Sequence, residues 1–181
     1  DTHVVPVNNL SIEIISRCNL INKVIIIESE KIHKKYLENY SYYFHEMPPI
    51  EWIPNIIEGK KLFYFDKIEI NTNNNVIFQP ISLDKKPKEH REKYIQTWNN
   101  SIELLLDNKY NIYMIGSETN YQEMLDSSII EQNLLKHIIN KMGKWTVLEA
   151  LSAMMYNADL VMSCDSWAGA FGILFRIPTC F

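Results

Sequence analysis

From Asn75 to Phe181 short apolar runs alternate with longer stretches whose apolar residues recur at helical spacing, and this alternation constrains the fold more than any other feature. The runs "NVIFQP" (75–80), "YNIYMIG" (110–116), "HIINKMG" (137–143), "ADLVMS" (158–163) and "IPTCF" (177–181) have the length and density of buried strands. Between them, residues 88–106 predict a helix with Tyr94, Ile95, Trp98, Ile102, Leu105 and Leu106 inward, and residues 119–136 one or two short helices. Residues 146–158 predict another helix, opened by a capping box in which the Thr146 hydroxyl and the Glu149 carboxylate satisfy backbone amides the helix leaves unpaired. Ser166 onward reads as a short helix rich in Ala and Gly. Strands that alternate with helices lie in a parallel sheet covered on both faces, so the fold class is α/β. Ligands bind such sheets at the carboxyl ends of the strands, where "MIGSE" and "MSCDS" fall.

The first part of the chain follows the same rule more loosely. "HVVPV" reads as a strand, "LSIEIISRCNLI" as a helix with Leu10, Ile14, Ile15 and Cys18 on one face, and "KVIIIES" (23–29) as a buried strand, which makes a β-α-β unit. Residues 30–47 are aromatic, amphipathic and predicted helical until Pro48 and Pro49 break the pattern. A hairpin or irregular segment is expected around "KKLFYFDKIEI", and the polar "NTNNN" is the expected boundary between a domain at 1–74 and one at 75–181. The chain has no initiator Met, begins in one strand pattern and stops in another, and reads as a fragment of a longer protein.

Composition narrows the partners. With 181 residues, 46% of them hydrophobic, the chain can bury one large core or two small ones. Eighteen basic residues against 22 acidic ones give a net charge of −4, which supplies no global field for nucleic acid or an anionic membrane. No nucleic-acid partner is expected, and recognition must be local. No run approaches the roughly 20 apolar residues that span a bilayer, and "DTHVVPVNN" lacks the features of a signal peptide. A cytoplasmic location is expected, with any peripheral membrane contact outside these residues. Cys18, Cys164 and Cys180 are widely spaced beside apolar residues and read as buried thiols, and the five histidines form no ligand pattern, so no metal site is expected.

Four places could carry chemistry, and each has a plain structural alternative. Asp165 stands at a strand-to-helix turn, where it can cap the helix; the small residues after it also let a phosphate approach the free amides and the positive end of the dipole. In "QPISLDKKPKEH", Lys85 or Lys86 can reach across a cleft to a diphosphate, or both can be part of a solvated loop. In "GSETN", Gly116 and Ser117 can supply amides or a hydroxyl and Glu118 can accept from a ribose, or the stretch is a turn with a cap. Trp145 can stack on a base or sugar, or pack an edge of the sheet, the commoner role. The fingerprints G-x-S-x-G, Walker A and G-x-G-x-x-G do not occur.

The order of these features from Val76 to Phe181 resembles the C-terminal domain of glycosyltransferase family 9, the ADP-heptose:lipopolysaccharide heptosyltransferases. That family reads strand, Lys loop, helix with Trp, strand ending in Gly, then a helix and a strand leading to an Asp-Ser/Thr turn. Leu148, Glu149, Ala158, Asp159, Leu160, Val161, Ser163, Asp165, Ser166, Pro178 and Thr179 occupy the corresponding places. Residues 1–29 look like a later β-α-β piece of the family's N-terminal domain. Two positions depart from the pattern: Trp167 replaces the usual Gly, and Ala170 the usual His.

The resemblance implies a GT-B architecture of two Rossmann-like domains, 1–74 being part of the acceptor-side domain and 75–181 the nucleotide-sugar-binding one. It implies an inverting, metal-independent glycosyltransferase that moves a heptose-like sugar to a glycan or lipopolysaccharide-type acceptor. The donor would be a nucleoside-diphosphate sugar, an ADP-sugar by preference, and no cofactor is expected. The donor site would comprise Lys85, Lys86, Gly116, Ser117, Glu118, Asp165, Ser166 and Trp167, with the catalytic carboxylate upstream of Asp1. The alternative, which Trp167 and Ala170 favour, is a GT-B-like binding module that has lost transfer activity.

Overall fold

The computed structural model describes residues 3–4, 13–14, 16–17, 23–24, 63–71, 73–81, 88–164 and 166–181, with backbone only for 3–4, 23–24 and 88–94. The chain divides into two compact units, Asp1–Phe65 and Asp66–Phe181. The expected helix over 30–47, Cys18, Lys85, Lys86, Asp165 and the side chain of Tyr94 lie outside this description, while the described part of the segment expected as a hairpin or irregular, residues 63–70, is irregular apart from a bridge at Phe63.

In the first unit β1 (His3–Val4) pairs in parallel with β2 (Lys23–Val24), His3 opposite Lys23 and Val4 opposite Val24. A parallel pair needs a crossover of a dozen or more residues, and Glu13 and Ile14 in that crossover are helical. Further along, Tyr64 donates its backbone N–H to the Arg17 carbonyl at 3.1 Å, with the Arg17 guanidinium 6.0 Å from the Tyr64 ring centre.

The second unit contains β3 (Asn75–Gln79), α1 (Lys88–Asp107), β4 (Asn111–Met114), α2 (Glu118–Asp126), α3 (Gln132–Leu135), β5 (Ile139–Asn140), α4 (Val147–Asn157), β6 (Leu160–Ser163), α5 (Trp167–Leu174) and β7 (Thr179–Cys180). All five strands are parallel, in the spatial order β5-β4-β3-β6-β7. The α/β class with a parallel sheet is therefore what the sequence periodicity implied.

Strand pleating sorts the core. Val76, Phe78, Ile112, Met114 and Met162 alternate onto one face, where they pack with Trp98 and Ile102 of α1 and with Met124 and Leu134. The Phe78 and Trp98 rings meet edge to face at 5.3 Å. Ile77, Tyr113 and Val161 alternate onto the opposite face, and α4 and α5 carry buried Leu151, Met154 and Ala168. Crossovers from parallel strand to parallel strand are right-handed. The path from β3 outward through β4 to β5 thus lays its helices on one side, and the path back through β6 to β7 lays α4 and α5 on the other. Gly172 lets α5 lie close, because a Cβ there would stand 2.5 Å from Thr179 Oγ1 and 3.0 Å from Val161 Cβ.

Two details differ from expectation. The strand foreseen over 137–143 is only Ile139–Asn140, because Asn140 Oδ1 accepts the N–H of Met142 at 2.9 Å and folds the chain into a turn. The buried-thiol reading fails for Cys180, which is exposed at the sheet's short terminal strand, and Cys164 is half-buried. The outermost strand has no further strand to cover it among the described residues.

Candidate functional site

The direction of chain progression reverses between β3 and β6, and in an open parallel sheet the crevice at that reversal, outside the carboxyl ends of the strands, is where ligands bind. β3 ends there in Gln79 and β6 in Ser163, register partners whose side chains leave the sheet on the same face. Both are polar and buried, Gln79 4% exposed and Ser163 0%. Three residues separate β6 from α5, and the last of them, Ser166, is the N-cap, one position later than Asp165.

These side chains form one cluster. The Ser166 hydroxyl donates to Gln79 Oε1 at 2.5 Å, Ser163 Oγ lies 2.8 Å from Ser166 Oγ, and Ser163 also donates to the Cys164 carbonyl at 2.6 Å. Backbone pairing continues past the strands, Cys164 N–H bonding the Gln79 carbonyl at 3.0 Å and Ile115 N–H the Phe78 carbonyl at 2.8 Å. The consequence for α5 is specific. Serine is a favoured N-cap, yet Ser166 makes no side-chain bond to the helix amides because its hydroxyl is turned to Gln79. The first amides of α5 and the positive end of its dipole therefore face this crevice without a serine cap.

The neighbouring loops behave differently. At the end of β4, Ser117 accepts the Asn120 N–H at 3.1 Å, and Asn120 Oδ1 takes the Ser117 N–H at 3.3 Å and hydroxyl at 2.8 Å, a complete capping box for α2. Glu118 is exposed and accepts from Gln122 Nε2 at 3.4 Å. Gly116 and Gly143 join this loop to the one after β5 through a 2.8 Å backbone bond. Gly143 has φ +68°, and a Cβ there would collide with the Glu118 carboxylate. Trp145 stacks on Tyr113 at 5.7 Å and 10°, with Lys141 Nζ 5.1 Å from its ring centre. Of its two readings, packing against the sheet is the one seen.

Thr146 and Glu149 form the foreseen capping box of α4. The Thr146 N–H and hydroxyl donate to Glu149 Oε2 at 2.7 and 2.8 Å, and Glu149 N–H donates back to Thr146 Oγ1 at 3.2 Å. These bonds to the charged form hold the Glu149 pKa below the ordinary glutamate value, with a smaller contribution from Lys141. Desolvation pushes the Cys180 thiol up.

Thus the structure places Ser166 and Trp167 at the crevice, and Gly116, Ser117 and Glu118 on the adjoining strand end. Gln79 and Ser163 were not singled out from sequence as members of a polar cluster. The available signal was a polar residue closing each of two otherwise apolar strand runs, "NVIFQ" and "LVMS". Among the described residues no group of three or more His, Cys, Asp or Glu could hold a metal ion, and no helix is long and apolar enough to cross a membrane.

Strand order and crevice together define the second unit as a doubly wound, Rossmann-like α/β domain with a polar switch point. Among solved structures, the chain is similar to Escherichia coli ADP-heptose lipopolysaccharide heptosyltransferase II, with a TM-score of 0.49 and 13% identity over 89% of this chain and 51% of that one. The chain therefore spans about half the length of that structure. No protein-family model matches the chain, and no curated protein matches it.

Proposed function

We propose that the second unit holds the diphosphate of a nucleotide-sugar donor, and that the protein is an inverting glycosyltransferase. The observation that carries this reading is the switch-point crevice, where the N-terminus of α5 faces outward without a serine cap. Such a terminus stabilises an anion through its free amides and its dipole. The ordered resemblance to glycosyltransferase family 9 from Val76 to Phe181 supports the same reading.

In this proposal the α5 amides at Ser166 and Trp167 and the ammonium of Lys85 or Lys86 stabilise the departing nucleoside diphosphate. Asp165 positions the donor sugar, and Glu118 accepts from the ribose while Gly116 and Ser117 hold its loop. A carboxylate of the acceptor-side domain deprotonates the acceptor hydroxyl, which attacks the anomeric carbon as the glycosyl-phosphate bond breaks. The sugar is heptose-like, the nucleotide is ADP by preference, the acceptor is a glycan or lipopolysaccharide-type glycolipid, and the reaction takes place in the cytoplasm without a metal. The second reading, a GT-B-like binding module without transfer activity, rests on Trp167, a bulky and half-buried residue at the first position of α5.

Calorimetric titration of the full-length protein with ADP, UDP, GDP and CDP tests the donor site. Selective binding of one diphosphate, weakened in Asp165→Ala and in the Lys85→Ala/Lys86→Ala double variant, is the expected result. It also names the donor for a transfer assay, in which binding without turnover selects the module. A folded protein that binds none of the four overturns the proposal.

A further inference from the structure

We infer that Gln79 is a phosphate-contacting residue of this crevice, its carboxamide nitrogen donating to a phosphoryl oxygen of the bound nucleoside diphosphate. The inference rests on the donor-site reading above and adds to it a residue from a different strand.

Gln79 closes β3, is 4% exposed, and stands opposite Ser163 in the register of β3 and β6. Its oxygen is fixed by the 2.5 Å contact with Ser166 Oγ. That separation belongs to the O–H···O range and is shorter than an N–H···O bond, so oxygen, not nitrogen, is the end of the carboxamide that meets the hydroxyl. The nitrogen makes no hydrogen bond among the described residues and sits beside the N-cap of α5.

Hydrogen counting shows what the cluster can offer. Ser163 and Ser166 have two hydroxyl protons for three contacts, those to Cys164 O, to each other and to Gln79 Oε1. Ser166 gives its proton to Gln79, and Ser163 shares its own between the Cys164 carbonyl and Ser166 Oγ. No hydroxyl proton is left over. The donors that remain for a ligand are the Gln79 N–H pair and the first amides of α5. Donors gathered from β3 and from the start of α5 suit an anionic oxygen, to which a hydrogen bond is stronger than to a neutral one. The serines hold Gln79 in one rotamer, so the nitrogen is oriented before the ligand arrives.

The test uses the full-length protein and the diphosphate that the wild type binds best. In Gln79→Glu the Ser166 bond can persist, but the N–H donor is replaced by a negatively charged oxygen; in Gln79→Met the volume is kept and the donor lost without new charge. Affinity is expected to fall by about ten- to a hundredfold in Gln79→Met, as for loss of a hydrogen bond to a charged group, and further in Gln79→Glu. Affinity for the corresponding nucleoside, which has no phosphate, is expected to be unchanged in both. Circular dichroism melts identify any variant that fails to fold, and Gln79→Leu, also uncharged and without the donor, supplies the diphosphate-to-nucleoside comparison should Gln79→Met not fold. If the wild type binds and Gln79→Met binds as tightly, the inference is overturned while the donor site stands, even where Gln79→Glu is weak through repulsion. If affinity for nucleoside and diphosphate falls together, Gln79 is a structural residue and the inference is overturned. If the wild type binds no diphosphate, the donor-site reading fails and takes this inference with it.

Discussion

The Asp159 carboxylate accepts the backbone N–H of Asn75 at 2.8 Å, tying the turn before β6 to the start of β3. Asn75 is wholly buried, and its side-chain amide donates to the carbonyls of Asn71 at 2.6 Å and Asn157 at 3.1 Å. This clasp lies at the amino ends of the two strands whose carboxyl ends form the crevice. Asp159→Ala leaves a buried N–H without its acceptor, and a loss of about 1–3 kcal/mol in folding stability is expected. Urea denaturation measures it, and Asp159→Asn, which keeps an acceptor oxygen, is expected to lose less. Equal stability of wild type and Asp159→Ala would mean that water replaces the carboxylate at no cost.

A second prediction concerns pH. The Glu149 pKa is depressed because the ionised carboxylate accepts from the Thr146 N–H and hydroxyl. A depressed folded-state pKa contributes stability above the unfolded-state value, and that contribution is lost as pH falls through the folded-state value. The stability gap between wild type and Glu149→Ala is therefore expected to be largest at neutral pH and to shrink below the ordinary glutamate range. Thr146→Ala, which removes the other half of the box, is expected to destabilise by about 1 kcal/mol at neutral pH. Denaturation midpoints measured across the acid range check both, and a gap that widens on acidification contradicts the assignment.

Gly172 supplies the third. Its missing side chain is what allows α5 to approach Val161 and Thr179. The helix would have to shift to admit a methyl group, so Gly172→Ala is expected to destabilise by about 1–3 kcal/mol despite alanine's better helix propensity. A thermal melt at or above the wild-type midpoint would show that the helix accommodates the methyl freely.

The parallel sheet and its helices were legible because their cause is local. Runs such as "NVIF" can be buried on both faces only in a covered sheet, and the spacing of Trp98, Ile102 and Leu105 marks one stripe of α1. The Thr146/Glu149 box was legible for the same reason, since both partners lie within one turn. Gln79 and Ser166 are 87 positions apart. Only the pairing of β3 with β6 brings them together, and no spacing in the chain encodes it. The role of Ser166 was equally hidden: the sequence points to Asp165 as the cap and starts the helix at Ser166, whereas Ser166 is the N-cap and the nearby Gln79 oxygen takes its hydroxyl. Cys180 was misread because its apolar neighbours suggest a core position, while the sheet ends at its strand.

The capping box of α2 bears on which loop can touch a ligand. The Ser117 hydroxyl has one proton, and it goes to Asn120 Oδ1 at 2.8 Å while a lone pair takes the Asn120 N–H at 3.1 Å. With its proton committed, this hydroxyl cannot also donate to a phosphate unless the box opens. Ser117→Ala is therefore expected to cost about 1 kcal/mol in stability and to leave diphosphate affinity within about twofold, a change smaller than a lost hydrogen bond. Ser117→Asp, which keeps a capping oxygen, is expected to recover most of the stability. Calorimetry and denaturation on the same preparations separate the two roles. A variant of undiminished stability that loses diphosphate binding would place the Ser117 hydroxyl on the ligand; loss of stability with binding intact leaves donation to the phosphates with α5, Gln79 and the lysine loop.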